Sequence, residues 1–371
     1  MAGRDVDGAD RAVEALGLNR AFWRGKRVFV TGHTGFKGAW LLLLLHELGA
    51  DVHGLALSPP TEPNMFDLLG LDRLCDHAIG DVRDLGLLGE AIVRAQPEIV
   101  LHMAAQSLVR ASYDNPVETY AVNVMGTVNL LEVCRRAAGL KAVVVVTTDK
   151  CYENFGWTWG YRENDRLGGA DPYSNSKAAC ELVVDAYRQS FFAPADHERH
   201  QLGLASARAG NVIGGGDFAV DRLVPDAMRA FMAGTSLQIR NPLSVRPWQH
   251  VLEPLHGYLL LAERLHDDSR YARGWNFGPH PDESAPVRDV VDRLADLWGD
   301  APRWTQDEAY HPHEAATLKL DSTLARVELG WSPRLELDQG LELTCEWYRA
   351  FHRGEDLAAL SMRQVRDFIG S

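Results

Sequence analysis

Arg27-Val28-Phe29-Val30-Thr31-Gly32-His33-Thr34-Gly35-Phe36-Lys37-Gly38 is the stretch from which the fold can be read. Its apolar, β-branched start reads as a buried strand. The strand runs straight into three glycines spaced three apart, and a long apolar helical stretch follows and ends near Gly49. A strand, a glycine loop and a helix in that order make a phosphate-binding turn. The glycines permit a tight bend and close approach of backbone to a pyrophosphate, and the helix N-terminus attracts its charge. Glycines serving packing alone are the bland alternative; their place between strand and helix favours a dinucleotide.

Working outward, Asp51 to Leu57 reads as a second strand, Ile79 as a short third and Ile99 to Met103 as a fourth. Leu85 to Ala95 and Val117 to Ala137 read as helices, and a fifth strand begins at Val143. Strand and helix alternate, so residues 25–207 are expected to form an α/β, Rossmann-type, doubly wound parallel sheet. Past Ala207 the alternation fails and Gly and Pro become dense. Shorter helices are expected near Val224 to Ala233, Leu252 to Leu265, Val287 to Trp298 and Gly340 to Phe351. Residues 208–371 therefore read as a smaller, mixed C-terminal substrate lobe, with some segments returning to the first domain. Residues 1–24 read as a loose leader or a short surface helix.

Composition narrows the function classes. The formal net charge of −13 argues against a general nucleic-acid binder. The five cysteines, 75, 134, 151, 180 and 345, are scattered and odd in number, which favours a reducing compartment and no structural zinc. Leu41 to Leu45 is too short to span a bilayer, and no signal sequence is apparent at the N-terminus. A soluble cytoplasmic protein is the expectation.

The fifth strand, Val143-Val144-Val145-Val146, ends in Thr147-Thr148-Asp149-Lys150, and Asp171-Pro172-Tyr173-Ser174-Asn175-Ser176-Lys177 starts a helix. Tyr173 and Lys177 lie four apart and share a helical face. An ammonium beside a phenol favours the phenolate, so the pair can take a proton from a sugar hydroxyl. Such spacing is common on ordinary helices, and its weight comes from the strand end before it. Asp81, after Ile79-Gly80, is placed to meet an adenine, although a simple turn aspartate would look the same. The second strand ends in Leu57-Ser58-Pro59-Pro60, with neither the carboxylate that holds a ribose diol nor an arginine for a 2′-phosphate. NAD is the expected cofactor, although this position does not exclude NADP.

With the glycine loop, Asp81-Val82, His102-Met103-Ala104-Ala105-Gln106, Asn123 and Tyr173-x-x-x-Lys177 in this order, the chain resembles the extended short-chain dehydrogenase/reductase family. It looks most like the nucleotide-sugar 4,6-dehydratases, and within them the CDP-glucose branch. Thr148-Asp-Lys-Cys-Tyr152, Trp159-Gly-Tyr-Arg-Glu-Asn164, Arg208-Ala-Gly-Asn-Val-Ile-Gly-Gly-Gly-Asp217, Arg246-Pro-Trp-Gln-His-Val251 and His311-Pro-His-Glu314 carry the narrower likeness, which covers about residue 22 onward.

The resemblance implies NAD held by Gly32, Thr34, Gly35, Phe36, Lys37 and Gly38. It further implies contacts from Asp81, Val82, Ala104, Ala105, Gln106 and Asn123, and from Tyr173 and Lys177. It implies catalysis by Thr148, Asp149, Lys150, Tyr173 and Lys177. Tyr173, helped by Thr148 and Lys177, takes the 4-hydroxyl proton of CDP-glucose while C4 gives hydride to NAD. A base removes the C5 proton, Asp149 protonates the departing 6-hydroxyl, and hydride returns to C6 to leave a 4-keto-6-deoxy sugar. Family dehydratases usually read Thr-Asp-Glu where this chain has Lys150, so the C5 base stays open. Either Lys150 is neutral and serves, or it points away from Asp149.

Arg246 is the first choice to clamp the substrate pyrophosphate, because a guanidinium pairs two phosphate oxygens. Arg222 and the amides around Asn211 are second choices, and Gln106 and Ser107 could touch the hexose. Surface salt bridges and a helix cap are the alternatives for the arginines and Ser107. His311 and His313 lack a third ligand for a metal, and the family places His313 near the nucleotide instead. Trp157, Trp159 and Tyr161 could line the cleft or pack between lobes or protomers. The resemblance also implies a homodimer. The rivals are a nucleotide-sugar 4-epimerase, a dehydratase of another nucleotide hexose, and a non-catalytic dinucleotide sensor.

Overall fold

The structure, a computed structural model, describes residues 17–309 and 316–370. His311, His313 and Glu314, with most of the expected leader, lie outside the described residues.

Chain order along the first part is β1 (Arg27–Thr31), α1 (Phe36–Leu48), β2 (Asp51–Ala56), β3 (Asp76–Ile79), α2 (Leu85–Ala95) and β4 (Ile99–His102). Then come α3 (Gly126–Cys134), β5 (Ala142–Val146), α4 (Pro172–Ser190) and β6 (Gly203–Ala209). The second part supplies α5 (Leu223–Met232), α6 (Leu252–Asp267), β7 (Gly274–Phe277), α7 (Val287–Trp298), α8 (Leu337–Arg353) and α9 (Leu357–Gly370). Seven strands form one parallel sheet in the order β7-β6-β5-β4-β1-β2-β3.

Period-two alternation divides the central strands between two cores. Val28, Val30, Ile99, Leu101, Val144 and Val146 face one apolar cluster, while Phe29, Val100, Val143 and Val145 face the other. The second is closed by α2, α3 and α4 through residues such as Leu88, Leu131 and Val184. The first is larger and shared by both lobes. Helix α1 is buried continuously from Gly38 to Leu45. With no polar stripe it must be enclosed on every side. The sheet lies on one side, and α6 and α9 pack on it from the C-terminal part of the chain.

Three expectations are revised here. The leader is not loose over its described end: Asn19 caps the short helix Arg20–Trp23, and Trp23 is buried, its Nε1 donating to Glu263 at 3.0 Å. The helix expected over 117–137 starts at Pro116 and is broken by a π-helical turn, Ala121–Met125, that feeds directly into α3. The wider turn puts Asn123 inward, where it makes buried bonds. The boundary expected at 207/208 falls inside β6, and its neighbour β7, from the second part of the chain, is one of the segments expected to return to the first domain. Helices α8 and α9 share the first core, so the second lobe is not a separate body.

Candidate active site

A cavity of about 1770 Å³ runs over the carboxyl ends of the strands and is roofed by the second part of the chain. Open parallel sheets bind ligands at this edge, where the strand order reverses; here that point lies between β1 and β4. Gly32 has φ +76°, and a Cβ on it would lie 2.7 Å from the Ala104 nitrogen. A Cβ on Gly38 would meet the Gly32 carbonyl at 2.3 Å. Both positions therefore need glycine for the turn itself. Gly35, the N-cap of α1, has no neighbour nearer than 3.5 Å to a built Cβ, and it leaves room over the helix N-terminus.

The opposite wall is held from behind. Thr31 Oγ1 accepts from the Met103 and Ala104 amides, at 3.1 Å each, and bonds His102 Nδ1 at 2.7 Å. Asn123 accepts from the Gln106 amide at 2.8 Å and donates to its carbonyl at 3.0 Å and to Ser176 Oγ at 2.8 Å. Asn123 thus ties the Ala104–Gln106 segment to α4 from outside the cavity lining. The Gln106 side chain is taken up by its own turn, bonding Leu108 and Thr119. The Asp81 carboxylate lines the cavity and is held by Arg83, which keeps it below the usual carboxylate range.

At the centre, β5 delivers Thr148, Asp149 and Lys150 on a short 3-10 turn, opposite Tyr173 and Lys177 on α4. Asp149 is fully buried. Its Oδ1 accepts from Thr148 Oγ1 at 3.0 Å and from Lys150 Nζ at 3.2 Å, while Oδ2 has no partner. Lys150 Nζ also donates to Asn211 Oδ1 at 3.3 Å. Lys150 is therefore turned toward Asp149 rather than away from it. Lys177 Nζ is buried and donates to the Val146 carbonyl at 3.1 Å; burial lowers its pKa.

Burial pushes the Tyr173 phenol up to about 12, against the pull of a hydrogen bond with the Thr148 hydroxyl and of the Arg222 charge. Arg222 is the cation in that balance. The Lys177 head is turned to the strand carbonyl instead.

Arg222 donates to Asp217 Oδ2 at 2.8 Å and crosses to Ser107 Oγ at 2.7 Å. Arg246 is buried on the cavity wall and donates to the Val245 carbonyl at 2.9 Å. Lys37 reaches inward to the Tyr258 hydroxyl at 3.5 Å, and burial holds its amine down at about 7. Tyr161 is buried in a ring stack with Tyr152 and Trp157, and Trp159 is exposed.

This arrangement has relatives. Residues 29–344 match the family model for GDP-mannose 4,6 dehydratase. A CDP-glucose 4,6-dehydratase of Salmonella typhimurium is 53% identical over 355 residues, 95% of this chain and 99% of that protein. The chain belongs to the nucleotide-sugar 4,6-dehydratase family. A UDP-glucose 4-epimerase of Mycolicibacterium smegmatis is 28% identical, over 87% of this chain and 98% of that one. Among solved structures, DesIV, a dTDP-glucose 4,6-dehydratase from Streptomyces venezuelae with NAD and TYD bound, superposes with a TM-score of 0.75. It is 24% identical and covers 89% of this chain and 98% of its own, a likeness of fold.

One group escaped sequence reasoning. Glu181, one turn beyond Lys177 on α4, is buried and accepts from Thr147 Oγ1, from Ser206 Oγ at 2.6 Å and from Arg208 Nη2 at 2.8 Å. Arg208 donates onward to Tyr152 Oη at 2.8 Å, and Tyr152 to Asn276 at 2.7 Å. The network grips both flanks of the 148–150 segment and ties β5, β6, β7 and α4 together. A signal was present: Glu181 falls on the same helical face as Tyr173 and Lys177, where a solvated charge has no place.

Proposed function

We propose that the chain converts CDP-D-glucose to CDP-4-keto-6-deoxy-D-glucose with NAD as its cofactor. The observation that carries this reading is the Asp149–Lys150 contact beside Tyr173. A 4-epimerase needs the tyrosine but not an acid–base pair at the neighbouring strand end, whereas loss of water across C5 and C6 needs both. The 53% identity with the Salmonella typhimurium enzyme supports the cytidine nucleotide.

The glycine loop fits a pyrophosphate, since the α1 N-terminus at Gly35 has no side-chain cap and a Cβ there would have no neighbour nearer than 3.5 Å. Ser58 and Asp81 line the cavity where a ribose and adenine would rest. When bound, NAD supplies the acceptor and then the donor for one hydride. Tyr173 receives the proton of the 4-hydroxyl. Lys150, as the C5 base, removes the proton acidified by the 4-ketone, and Asp149 gives its proton to the departing 6-hydroxyl. Asp149 is fully buried and lies outside the cavity lining that Thr148 and Lys150 form, so bulk water does not reach it. Arg246 and Arg222 hold the substrate diphosphate, with Ser107 and Asn211 nearby and His313 toward the nucleotide. Lys177, anchored on the Val146 carbonyl, holds the nicotinamide ribose.

A homodimer fits the exposure of Val117, Tyr120 and Met125 beside Leu182 of α4, an apolar face that a second copy could cover. All five cysteines are thiols, which suits the cytoplasm.

The test is incubation of the pure protein and NAD with CDP-, dTDP-, UDP- and GDP-hexoses, followed by product mass. Loss of one water from CDP-glucose is expected; unchanged mass with a new stereoisomer would establish epimerisation instead.

A further inference from the structure

The cavity wall carries charged groups that the chemistry above does not use. Arg110 lies on the short helix Val109–Asp114, and Arg240 directly follows the short strand Gln238–Ile239 in the second part of the chain. Both line the cavity, as do Arg222 and Arg246. Asp221 sits between the first two. Its Oδ1 accepts from Arg110 Nη1 at 2.9 Å and from Arg240 Nη1 at 3.3 Å. One carboxylate oxygen thus serves two guanidiniums that come from opposite walls. Asp221 has φ +61°, a left-handed conformation uncommon for a residue with a side chain. Its neighbour Arg222 crosses to Ser107, close in sequence to Arg110. The turn before α5 is therefore strapped across the cavity at two points, Asp221 to Arg110 and Arg222 to Ser107.

We propose that Asp221 is a built-in stand-in for a substrate phosphate. Its carboxylate bridges Arg110 and Arg240 until the diphosphate of the nucleotide sugar displaces it and takes over the bridge. The inference rests on the nucleotide-sugar reading and deepens it, because it adds Arg110 and Arg240 to the diphosphate site beside Arg222 and Arg246. The direction of the exchange follows from the charges. The side chains of Arg110, Asp221 and Arg240 are 42%, 38% and 24% exposed, and ion pairs as wet as these hold weakly. A diphosphate brings more negative charge and more acceptor oxygens than one carboxylate, and a guanidinium meets phosphate oxygens with two parallel N–H bonds. A ligand without phosphate has nothing to offer the two arginines in exchange. Asp221 therefore lowers affinity for every nucleotide and excludes uncharged sugars and nucleosides, a repulsive element that serves selectivity.

The test is calorimetric titration of the NAD-loaded full chain with CDP, or with whichever of dTDP, UDP and GDP the protein binds. Asn accepts a left-handed backbone, so D221N removes the charge and keeps the turn. It should tighten the diphosphate about 3- to 10-fold and lower KM for the corresponding nucleotide glucose by a similar factor. R110Q and R240Q should each weaken the diphosphate by about 5-fold or more. D221N binding as wild type does, or more weakly, overturns the proposal, because the bridge is then an ordinary surface contact. Undiminished binding by R110Q and R240Q overturns it as well. Thermal midpoints show whether the variants are folded, and D221G, which also suits the left-handed turn, replaces D221N if they are not. A crystal of the wild-type protein with CDP bound decides independently of any variant. Phosphate oxygens at hydrogen-bond distance from Arg110 and Arg240, with Asp221 moved off both, support displacement; an intact bridge beside bound CDP overturns it. Wild-type protein that binds none of the four diphosphates overturns the nucleotide-sugar reading itself, whereas diphosphate binding indifferent to D221N overturns the displacement alone.

Discussion

Tyr173 shows how a residue's role is set by its surroundings. On α4 it is simply a phenol one turn from an ammonium; in the folded chain burial dominates and raises it to about 12. Replacing Tyr173 with Phe removes the only hydroxyl that can receive the 4-hydroxyl proton in this reading. A fall in kcat of at least about 100-fold is expected, with NAD affinity within a few-fold of wild type by equilibrium titration. Glu181 makes a different demand. Its carboxylate is held below the usual range by Arg208, despite burial, and both partners are shielded from water. Glu181→Leu leaves the Arg208 guanidinium buried without its anion, so a loss of about 3–5 kcal/mol is expected in denaturant unfolding. Replacing both partners with apolar residues of similar volume should restore much of that loss. Tyr173, Lys177, Thr148 and Asp149 could be named as candidates from sequence because chemistry restricts residue type and spacing. Glu181 and Arg208 were not, because their link joins positions 27 apart across a strand and a helix.

At the scale of elements, strands and helices were legible wherever a local pattern decides them. The parallel strands β1, β2, β4 and β5 are short apolar runs, and Asp84 and Asp171 cap α2 and α4. The π turn at Ala121–Met125 was not, since its register is set by the tertiary bonds of Asn123. The start of α6 holds a further consequence. Glu253 Oε1 accepts from the Arg334 and Leu335 amides at 2.9 and 2.7 Å, its Oε2 has no partner, and burial raises the carboxyl to about 7. The raised folded-state value means that the native chain keeps this proton where the unfolded chain has lost it. The stabilising contribution is complete below the unfolded value of 4.5 and is lost progressively as pH rises to about 7. The change amounts to about 3 kcal/mol by the usual conversion. Glu253→Gln should flatten that part of the stability–pH curve, as measured by urea midpoints between pH 4.5 and 8.

For the whole molecule, assembly and closure matter most. If the face carrying Met125 and Leu182 is the dimer contact, Leu182→Glu should halve the mass seen by light scattering at micromolar concentration while leaving the thermal midpoint within a few degrees. An unchanged mass would move the interface elsewhere. Trp23→Ala should cost about 3–5 kcal/mol, because Trp23 is fully buried and its removal leaves a hole and takes from Glu263 Oε2 one of its two donors, the Asn19 amide remaining.

The sequence by itself determined the α/β class, the glycine loop with its strand and helix, and the candidates for the acid–base set. Each depends on local periodicity, on glycine's freedom at a tight turn, or on a spacing of four along a helix. Only the tertiary structure decided that Lys150 touches Asp149, that Glu181 meets Arg208, and that α9 and β7 complete the first part of the chain. Those relations join residues distant in sequence or turn side chains toward one another. Packing and the need to pair buried charge fix them, and neither is written in any single segment.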